Sequence, residues 1–436
     1  MNILFIQPKL KGKTKFLNKW MQIIEEDQFY YLHLSIYYIA SITPLDYKIK
    51  IFDERFEKKI NFENYNLIVI SCSTPFAPRA YELADLFRKN GKTVVLCGPH
   101  PSLIPDDAKP HADSVIIGEP DIVWINLLKD YERSKIKPFY KNSESVNPSK
   151  IKKYRYNLKN KKLPTRVEAG RGCPNCCSFC LAPVLLGTSY RTRPILEVIK
   201  DIKQTKEKII HFDDSSLTTN PDYTKKLFKE LKKLKKKFTC CGNVNVLSSD
   251  EELLKIAKEA GCIGWFIGFE SFDQNTLERS GKKTNKIEDY KKVVNNLHKN
   301  KMAVMGSFMF GFDTDNIDVF EKTYNGIKEL GIDSADFNIL GVYPGTSLFN
   351  KMEEEGRIIS KEWSKYHFGS VVFKPKNMTN EELEKETWKI ALKFFSLKNI
   401  MILSFRSMKL GYYPFKIMLF KNITLRRFYR SWKTLY

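Results

Sequence analysis

The sequence predicts an α/β protein with three parts: an open, mostly parallel N-terminal sheet, a partial (β/α)6 barrel, and a helical C-terminal region. Two series of short β-rich runs alternate with helical stretches along the chain, the pattern of parallel sheets covered by helices. A length of 436 residues suits two or three domains, each with its own core. Beyond about residue 345 the alternation ends and helical spacing takes over.

Residues 1–132 form the first series. Ile3–Gln7, Tyr47–Phe52, Leu67–Ser71, Thr93–Cys97 and Ser114–Ile117 read as buried strands. Pro78–Asn90 has helical spacing and stops at Gly91. Ligands of open parallel sheets bind beyond the carboxyl ends of the strands. Here those ends carry Ser71-Cys-Ser-Thr74, Cys97-Gly-Pro-His-Pro101 and Gly118-Glu-Pro120. Residues 133–164 are basic, rich in Asn and Ser, and contain Pro138, Pro148 and Pro164, so they read as a linker.

Residues 165–345 hold the second series. Its strands are Arg166–Ala169, Lys208–Phe212, Phe238–Val244, Gly264–Phe269, Ala303–Phe310 and Asp336–Leu340. Helices fit the intervals, among them Asp250–Ala260, with Ser248-Ser-Asp250 as N-cap candidates, and Lys286–Lys299. Active sites of such barrels lie at the carboxyl ends of the strands. In residues 346–436, Thr424–Tyr436 places Leu425, Phe428, Tyr429, Trp432, Leu435 and Tyr436 on one helix face, with Arg426, Arg427, Arg430 and Lys433 largely opposite. Such a basic amphipathic helix can cover the barrel or make a peripheral membrane contact.

The net charge of +23 raises nucleic-acid binding. Much of it is lysine dispersed along helix faces, as in Lys225–Lys237, which reads as a solvated surface. An aromatic–basic RNA-binding signature is not evident. The short apolar run Met1–Gln7 is too brief for a signal peptide, and no segment has the length and apolarity of a membrane span. The chain therefore reads as cytoplasmic.

Directly after the first barrel strand comes Gly172-Cys-Pro-Asn-Cys-Cys-Ser-Phe-Cys180. Its spacing is C-x3-C-x2-C over Cys173, Cys177 and Cys180. Three thiolates can hold three irons of a four-iron, four-sulfur cluster and leave the fourth open for a small molecule, as a catalytic zinc keeps one position free. A zinc site drawing on Cys176 is conceivable, but adjacent Cys176 and Cys177 do not easily take two corners of one tetrahedron. Disulfides conflict with an odd total of nine cysteines and a reducing compartment. Cys240 and Cys241 alternate on one strand, so only one can face the barrel. They, Cys72, Cys97 and Cys262 read as core thiols.

With its cysteine loop and two α/β series, the chain resembles the cobalamin-binding-domain radical S-adenosylmethionine (SAM) proteins over residues from about 30 to 400. That class includes methylases of unactivated carbon and the anaerobic porphyrin cyclase. Gly306-Ser-Phe-Met-Phe-Gly-Phe-Asp313, Tyr343-Pro-Gly-Thr346, Gly356-Arg357 and Trp363 are similar to the subgroup with a helical C-terminal domain, which includes a hopanoid methylase. The resemblance implies a Rossmann-like, cobalamin-binding type of N-terminal domain and a radical SAM barrel.

It also implies roles for individual residues. Cys173, Cys177 and Cys180 match the cluster ligands, and Phe179 the residue beside the SAM adenine. Asp213 and Asp214, ending the second barrel strand, match groups near the SAM amino end. Glu270 and Ser271, ending the fourth, match a pair at the ribose or methionine end. Ser71, Gly98, His100 and Gly118 fall where the cobalamin-type sheet meets its cofactor. The usual Asp-x-His-x-x-Gly is missing: the loop reads Gln7-Pro-Lys-Leu-Lys-Gly12, with no cobalt-binding histidine. Implied cofactors are the 4Fe–4S cluster, SAM and cobalamin, with a low-potential donor such as flavodoxin or ferredoxin.

The expected reaction is methylation of an unactivated carbon in a small or lipid-like substrate. Radical cyclisation or rearrangement is the alternative within the class. A basic, metal-binding, RNA-associated protein without catalysis is the alternative outside it. The helical tail is expected to act as a lid over the site.

Overall fold

The computed structural model describes residues 1–10, 35–142, 145–151, 153, 165–367 and 369–433, without the side chains of residues 431–433. The chain divides into two units: Met1–Pro164 with Val184–Gly187 and Lys361–His367, and the remainder.

The first unit is built on six parallel strands: β1 (Asn2–Gln7), β2 (Lys48–Asp53), β3 (Leu67–Ser71), β4 (Thr93–Cys97), β5 (Ser114–Ile117) and β6 (Phe139–Lys141). Their order is β2-β1-β3-β4-β5-β6, so the winding reverses between β1 and β3. The carboxyl ends at such a reversal are where this topology leaves a crevice. The central strands are apolar on both faces, and Leu67, Ile68, Val69 and Ile70 are all buried, as expected for a parallel sheet covered on both sides. Helix α1 (Ile36–Ser41) starts at Ser35, whose side chain accepts from the Tyr38 N–H. Helix α2 (Ala77–Lys89) ends before Gly91, at φ +71°. The short helix α3 (Pro99–Leu103) follows β4, and α4 (Asp121–Glu132) buries Trp124 and Leu127.

The sequence analysis missed β6. Its segment was read as linker from composition, yet Val115 to Ile117 pair with Phe139 to Lys141. An edge strand of three residues has too little periodicity to register, and an exposed–buried–exposed pattern suits an edge.

The second unit contains β7 (Thr165–Val167), a two-stranded antiparallel ribbon of β8 (Gly170–Arg171) and β9 (Arg191–Thr192), then β10 (Ile209–Phe212), β11 (Lys237–Cys241), β12 (Cys262–Glu270), β13 (Ala303–Phe310) and β14 (Ser334–Ile339). Apart from the ribbon, these strands form one parallel sheet in the order β14-β13-β12-β11-β10-β7. The first and last strands sit at opposite edges, so the barrel is partial. Between successive strands run α5 (Ile195–Lys203), α6 (Pro221–Lys232), α7 (Glu251–Ala260), α8 (Tyr290–Lys299) and α9 (Val319–Leu330). Asp250 caps α7 by accepting from Leu253 N–H, and Gly261 ends it at φ +101°.

The C-terminal region comprises α10 (Ser347–Glu354), α11 (Asn380–Phe394), α12 (Leu397–Met408) and α13 (Tyr412–Lys433). Thr379 and Glu382 make a reciprocal capping box on α11. Leu425, Phe428 and Tyr429 of α13 are buried. The Tyr429 hydroxyl lies against the backbone of Phe337 in β14. Met418 packs with Ala303 and Met305 at the start of β13, Asn422 donates to the Asp333 carbonyl just before β14, and Lys208 and Lys237 lie over the Tyr413 ring. Apart from Phe337, in the middle of β14, these partners lie at or just before the amino ends of the strands. Helix α13 thus closes the end opposite the cysteine loop, and the expectation of a lid is corrected to a plug. Trp432, Leu435 and Tyr436 fall outside the described side chains.

Candidate radical SAM site

The cysteine loop is clamped at its base. Register Gly170↔Thr192 and Arg171↔Arg191 draws residues 172–190 into a closed loop after β7. Arg171 and Glu168 form a buried ion pair at 2.8 Å, and Arg193 donates to the Glu168 carbonyl and pairs with Asp201. Such pairs contribute little net energy, yet removing one partner strands a buried charge. They fix geometry.

Asp214 supplies the second clamp. Its Oδ2 accepts from the Ala169 N–H at 3.0 Å, before the loop, and its Oδ1 from the Tyr190 hydroxyl at 2.7 Å, after it. Burial pushes this carboxyl up to about 7. A Cβ on Gly170 would stand 2.6 Å from the Tyr190 ring, so glycine is needed where the ring crosses. Both oxygens of Asp214 therefore serve the loop. Asp213 pairs with Arg166 of β7, and both side chains are largely buried.

Within the loop, Cys173 and Cys177 are buried, Cys180 is half-buried and Cys176 is exposed, with φ +46°. Ser178 N–H donates to the Ser280 carbonyl at 2.9 Å, and Leu348 N–H of α10 donates to the Ser178 carbonyl at 3.0 Å. The loop is thus pinned by Ser280, at the end of the short helix Gln274–Arg279, and by the start of α10. Cys177 Sγ lies 3.7 Å from the Gly281 carbonyl. Burial raises the Cys177 thiol and pushes Cys180 up to about 12, while Lys282 acts in the opposite direction on both.

The donor set fits a multi-iron cluster. Cys173 and Cys177 are near enough to perturb the Cys180 thiol electrostatically. Among the described residues, however, no three His, Cys, Asp or Glu side chains are gathered tightly enough for a single metal ion. A cube of four irons spreads its thiolates wider than one ion does. Exposed Cys176 stands apart from the buried pair.

Glu270 ends β12 with φ +66°, at a register shift against β13. Its carboxylate pairs with Lys282 at 2.8 Å. Burial alone would push the Lys282 ammonium down, but Glu270 and Cys177 hold it above its usual range. A Cβ on Gly268 would fall on the Glu270 carboxylate, so this close approach requires glycine. The turn is braced from behind. The Tyr290 hydroxyl shares its one proton between the carbonyls of Phe269 (2.7 Å) and Ser271 (3.0 Å), and Asn285 Nδ2 donates to those of Gly268 and Phe269. Ser271 is buried, its Oγ accepting from Asp273 N–H, and it borders a polar cavity of about 390 Å³ lined also by Arg279, Asp313, Asp318 and Lys322. Phe179 is half-buried, edge-on to Phe312 at 6.0 Å.

Sequence reasoning missed Lys282, Tyr190, Asn285 and Tyr290, because each acts across a loop without a fixed spacing. It also missed a polar face shared by the barrel strands. On this face His211 bonds Thr239 at 2.7 Å, Asn338 donates to Ser307 at 3.2 Å, and Asp336 pairs with Lys421 at 3.2 Å. Burial pushes His211 down to about 3, so this imidazole is neutral. The signal was available in three strands: His211, Ser307, Asp336 and Asn338 alternate with buried positions in β10, β13 and β14.

In the first unit, Gly98 follows β4 at φ +97°, and a Cβ there would stand 2.6 Å from Ser71 Oγ. Gly118 follows β5 at φ +75° with open space where a Cβ would be. His100 is fully buried, its Nε2 2.9 Å from the Tyr81 hydroxyl and 3.4 Å from Asp107, which also accepts from Trp363. Burial lowers its basicity. This environment ties His100 to the strand-end turn through its Nε2. Lys11 and Gly12 of the loop after β1 lie outside the described residues.

The Radical SAM superfamily model matches residues 167–327. Bacteriochlorophyllide d C-12(1)-methyltransferase of Chlorobaculum tepidum is 29% identical, over 97% of this chain and 96% of its own. Bacteriochlorophyllide d C-8(2)-methyltransferase of the same organism is 30% identical, over 85% of this chain and 87% of its own. Among solved structures, the radical SAM methyltransferase TsrM from Kitasatospora setae, with cobalamin and a 4Fe–4S cluster bound, superposes with a TM-score of 0.68 at 13% identity, covering 99% of each chain. The matched segment contains the cysteine loop and the strand ends that brace it, and this chain belongs to the radical SAM superfamily, enzymes that work with a 4Fe–4S cluster and SAM.

Proposed function

We propose that this enzyme is a cobalamin-dependent C-methyltransferase acting on an unactivated carbon of a small or lipid-like substrate, with a tetrapyrrole the first to test. The observation that carries the reading is similarity along nearly the whole chain to a bacteriochlorophyllide methyltransferase. The same similarity favours methyl transfer over cyclisation or rearrangement.

Cys173, Cys177 and Cys180 would hold the cluster, and Glu270 would receive the SAM ammonium, since a carboxylate accepts strong hydrogen bonds from a cation. Phe179 would lie by the adenine, and Ser271 by the ribose or methionine end. Asp213 would act from its pair with Arg166. Bound there, the cluster and SAM supply a hydrogen-abstracting radical, and cobalamin supplies the methyl group that replaces the hydrogen. The first unit fits a corrin in one respect: Gly118 leaves space at the strand ends, and Gly98 lets the β4 turn close on Ser71. Ser71, Gly98 and Gly118 would form that rim, with His100 behind it. The chain's own contribution is a rigid loop, a charged strand end and a partly dry barrel face. A low-potential donor such as flavodoxin or ferredoxin would deliver the electron.

Anaerobic reconstitution with iron, sulfide and hydroxocobalamin tests this directly. Four irons and one cobalt per chain, with 5′-deoxyadenosine formed from SAM under reduction, are expected. Cluster and cleavage without cobalt would remove cobalamin from the reading. Absence of a cluster would remove the cysteine assignment.

A further inference from the structure

Helix α12 buries one face, with Ile400, Leu403 and Ser407 packed inward, and leaves the opposite one apolar and exposed. Leu397, Met401, Ile402, Phe405 and Met408 on that face, with Tyr412 at the start of α13, are 48–69% exposed. At 100° per residue Leu397, Met401, Phe405 and Met408 fall on one stripe. Single exposed apolar residues are ordinary; a contiguous set marks an interaction surface.

Charge decides what covers it. From Leu397 to Tyr436 the chain carries nine Lys and Arg residues and no Asp or Glu. Lys398 and Lys409 fall beside the stripe, and both are exposed, as is Lys416. A second copy docked by this face would bring the same lysines against each other with no acidic partner, and interface cores are poor in lysine. An anionic bilayer accepts both components at once, apolar side chains at the headgroup boundary and lysines among the phosphates. No helix among the described residues is long and apolar enough to cross a membrane, so the contact would lie in the interfacial plane.

We propose that α12 and Tyr412 form a docking surface for an anionic lipid membrane. The inference rests on this surface alone and not on the reaction. It also moves the membrane contact expected from the sequence away from Leu425, Phe428 and Tyr429, which are buried in the barrel plug. Tyr413, next to the patch, meets residues at the amino ends of the strands, away from the cysteine loop.

The test is co-sedimentation of the full-length protein with vesicles of phosphatidylcholine, with and without phosphatidylglycerol. Binding is expected only with phosphatidylglycerol and should weaken as salt rises. The triple variant M401E/F405E/M408E should lower the bound fraction by at least about tenfold. Leu196→Glu, at an exposed apolar position on α5, should not. SAM cleavage and thermal melting of both variants should match the parent. Binding equal on neutral vesicles, or lost equally with Leu196→Glu, would overturn the proposal. So would a concentration-dependent dimer that the triple variant abolishes.

Discussion

Asp214 offers the sharpest test of how the cysteine loop is held. Asp214→Ala removes the acceptor for Ala169 N–H and Tyr190 O–H. Each lost bond is worth about 1 kcal/mol, and each donor left buried costs about 1–3 kcal/mol more. With two such bonds, the loop base should therefore loosen by roughly 4–8 kcal/mol. Asp214→Asn keeps the shape: its oxygen accepts from Ala169 and its amide donates to the Tyr190 oxygen. The two variants separate because the carboxyl is raised from 3.8 to about 7 by burial. The folded state holds a proton that the unfolded chain releases, so this group's contribution is fully present below about pH 4 and is lost as pH rises toward 7. The loss by pH 7 is on the order of 4 kcal/mol. Asparagine lacks that loss, so Asp214→Asn should match the parent at pH 4 and exceed it in denaturant stability at pH 7. Iron and sulfide content after anaerobic reconstitution gives the functional readout: near parental for Asn, clearly reduced for Ala. A full cluster in the Ala variant, or equal defects in both, would refute the clamp.

The remaining predictions concern the loop and its brace. Alanine at Cys173, Cys177 or Cys180 should each abolish the four-iron optical and electron paramagnetic resonance signals, whereas Cys176→Ala should retain them, since that thiol is exposed and set apart by its backbone conformation. Tyr290→Phe deletes the hydrogen bond that one hydroxyl proton shares between the Phe269 and Ser271 carbonyls and should lower denaturant stability by about 1–2 kcal/mol; 5′-deoxyadenosine formation should fall with it, because the Glu270 turn loosens.

Both parallel sheets were legible because their strands are short apolar runs bounded by turns, and because Gly91 marks a helix end locally. The cysteine loop was legible for the same reason: its chemistry is written in consecutive residues. What escaped was set by tertiary contact. β6 has three residues and is visible only through its partner β5. Asp214 was placed at the correct strand end, but its partners Ala169 and Tyr190 lie on either side of a loop that the sequence shows only as a gap. His100 sat between two prolines in a suggestive motif, and its burial against Tyr81 and Asp107 is visible only in the fold. The amphipathic pattern of Thr424–Tyr436 was real. Which of two apolar faces meets the core and which meets solvent is a packing result, and α12, unremarked in the sequence, carries the exposed one.

Glu270 ties these observations to chemistry. A non-glycine residue at φ +66° costs on the order of 1–3 kcal/mol unless its surroundings enforce it. Here they do, through Tyr290, Asn285, the bare Gly268 and the ion pair with Lys282. Glycine at 270 would relieve the strain at once, so retaining a carboxylate there argues that the carboxylate is used. Two variants separate structure from use. Glu270→Gln keeps the backbone strain and a hydrogen-bond acceptor for Lys282; Glu270→Gly removes both. Their melting temperatures should therefore differ. If the carboxylate receives the SAM ammonium, both should raise the SAM concentration needed for half-maximal cleavage by about tenfold or more, the worth of a charge-assisted bond. A glutamine variant with parental SAM dependence would show that Glu270 serves only Lys282, and the SAM ammonium would then have to be sought elsewhere on the barrel's polar face.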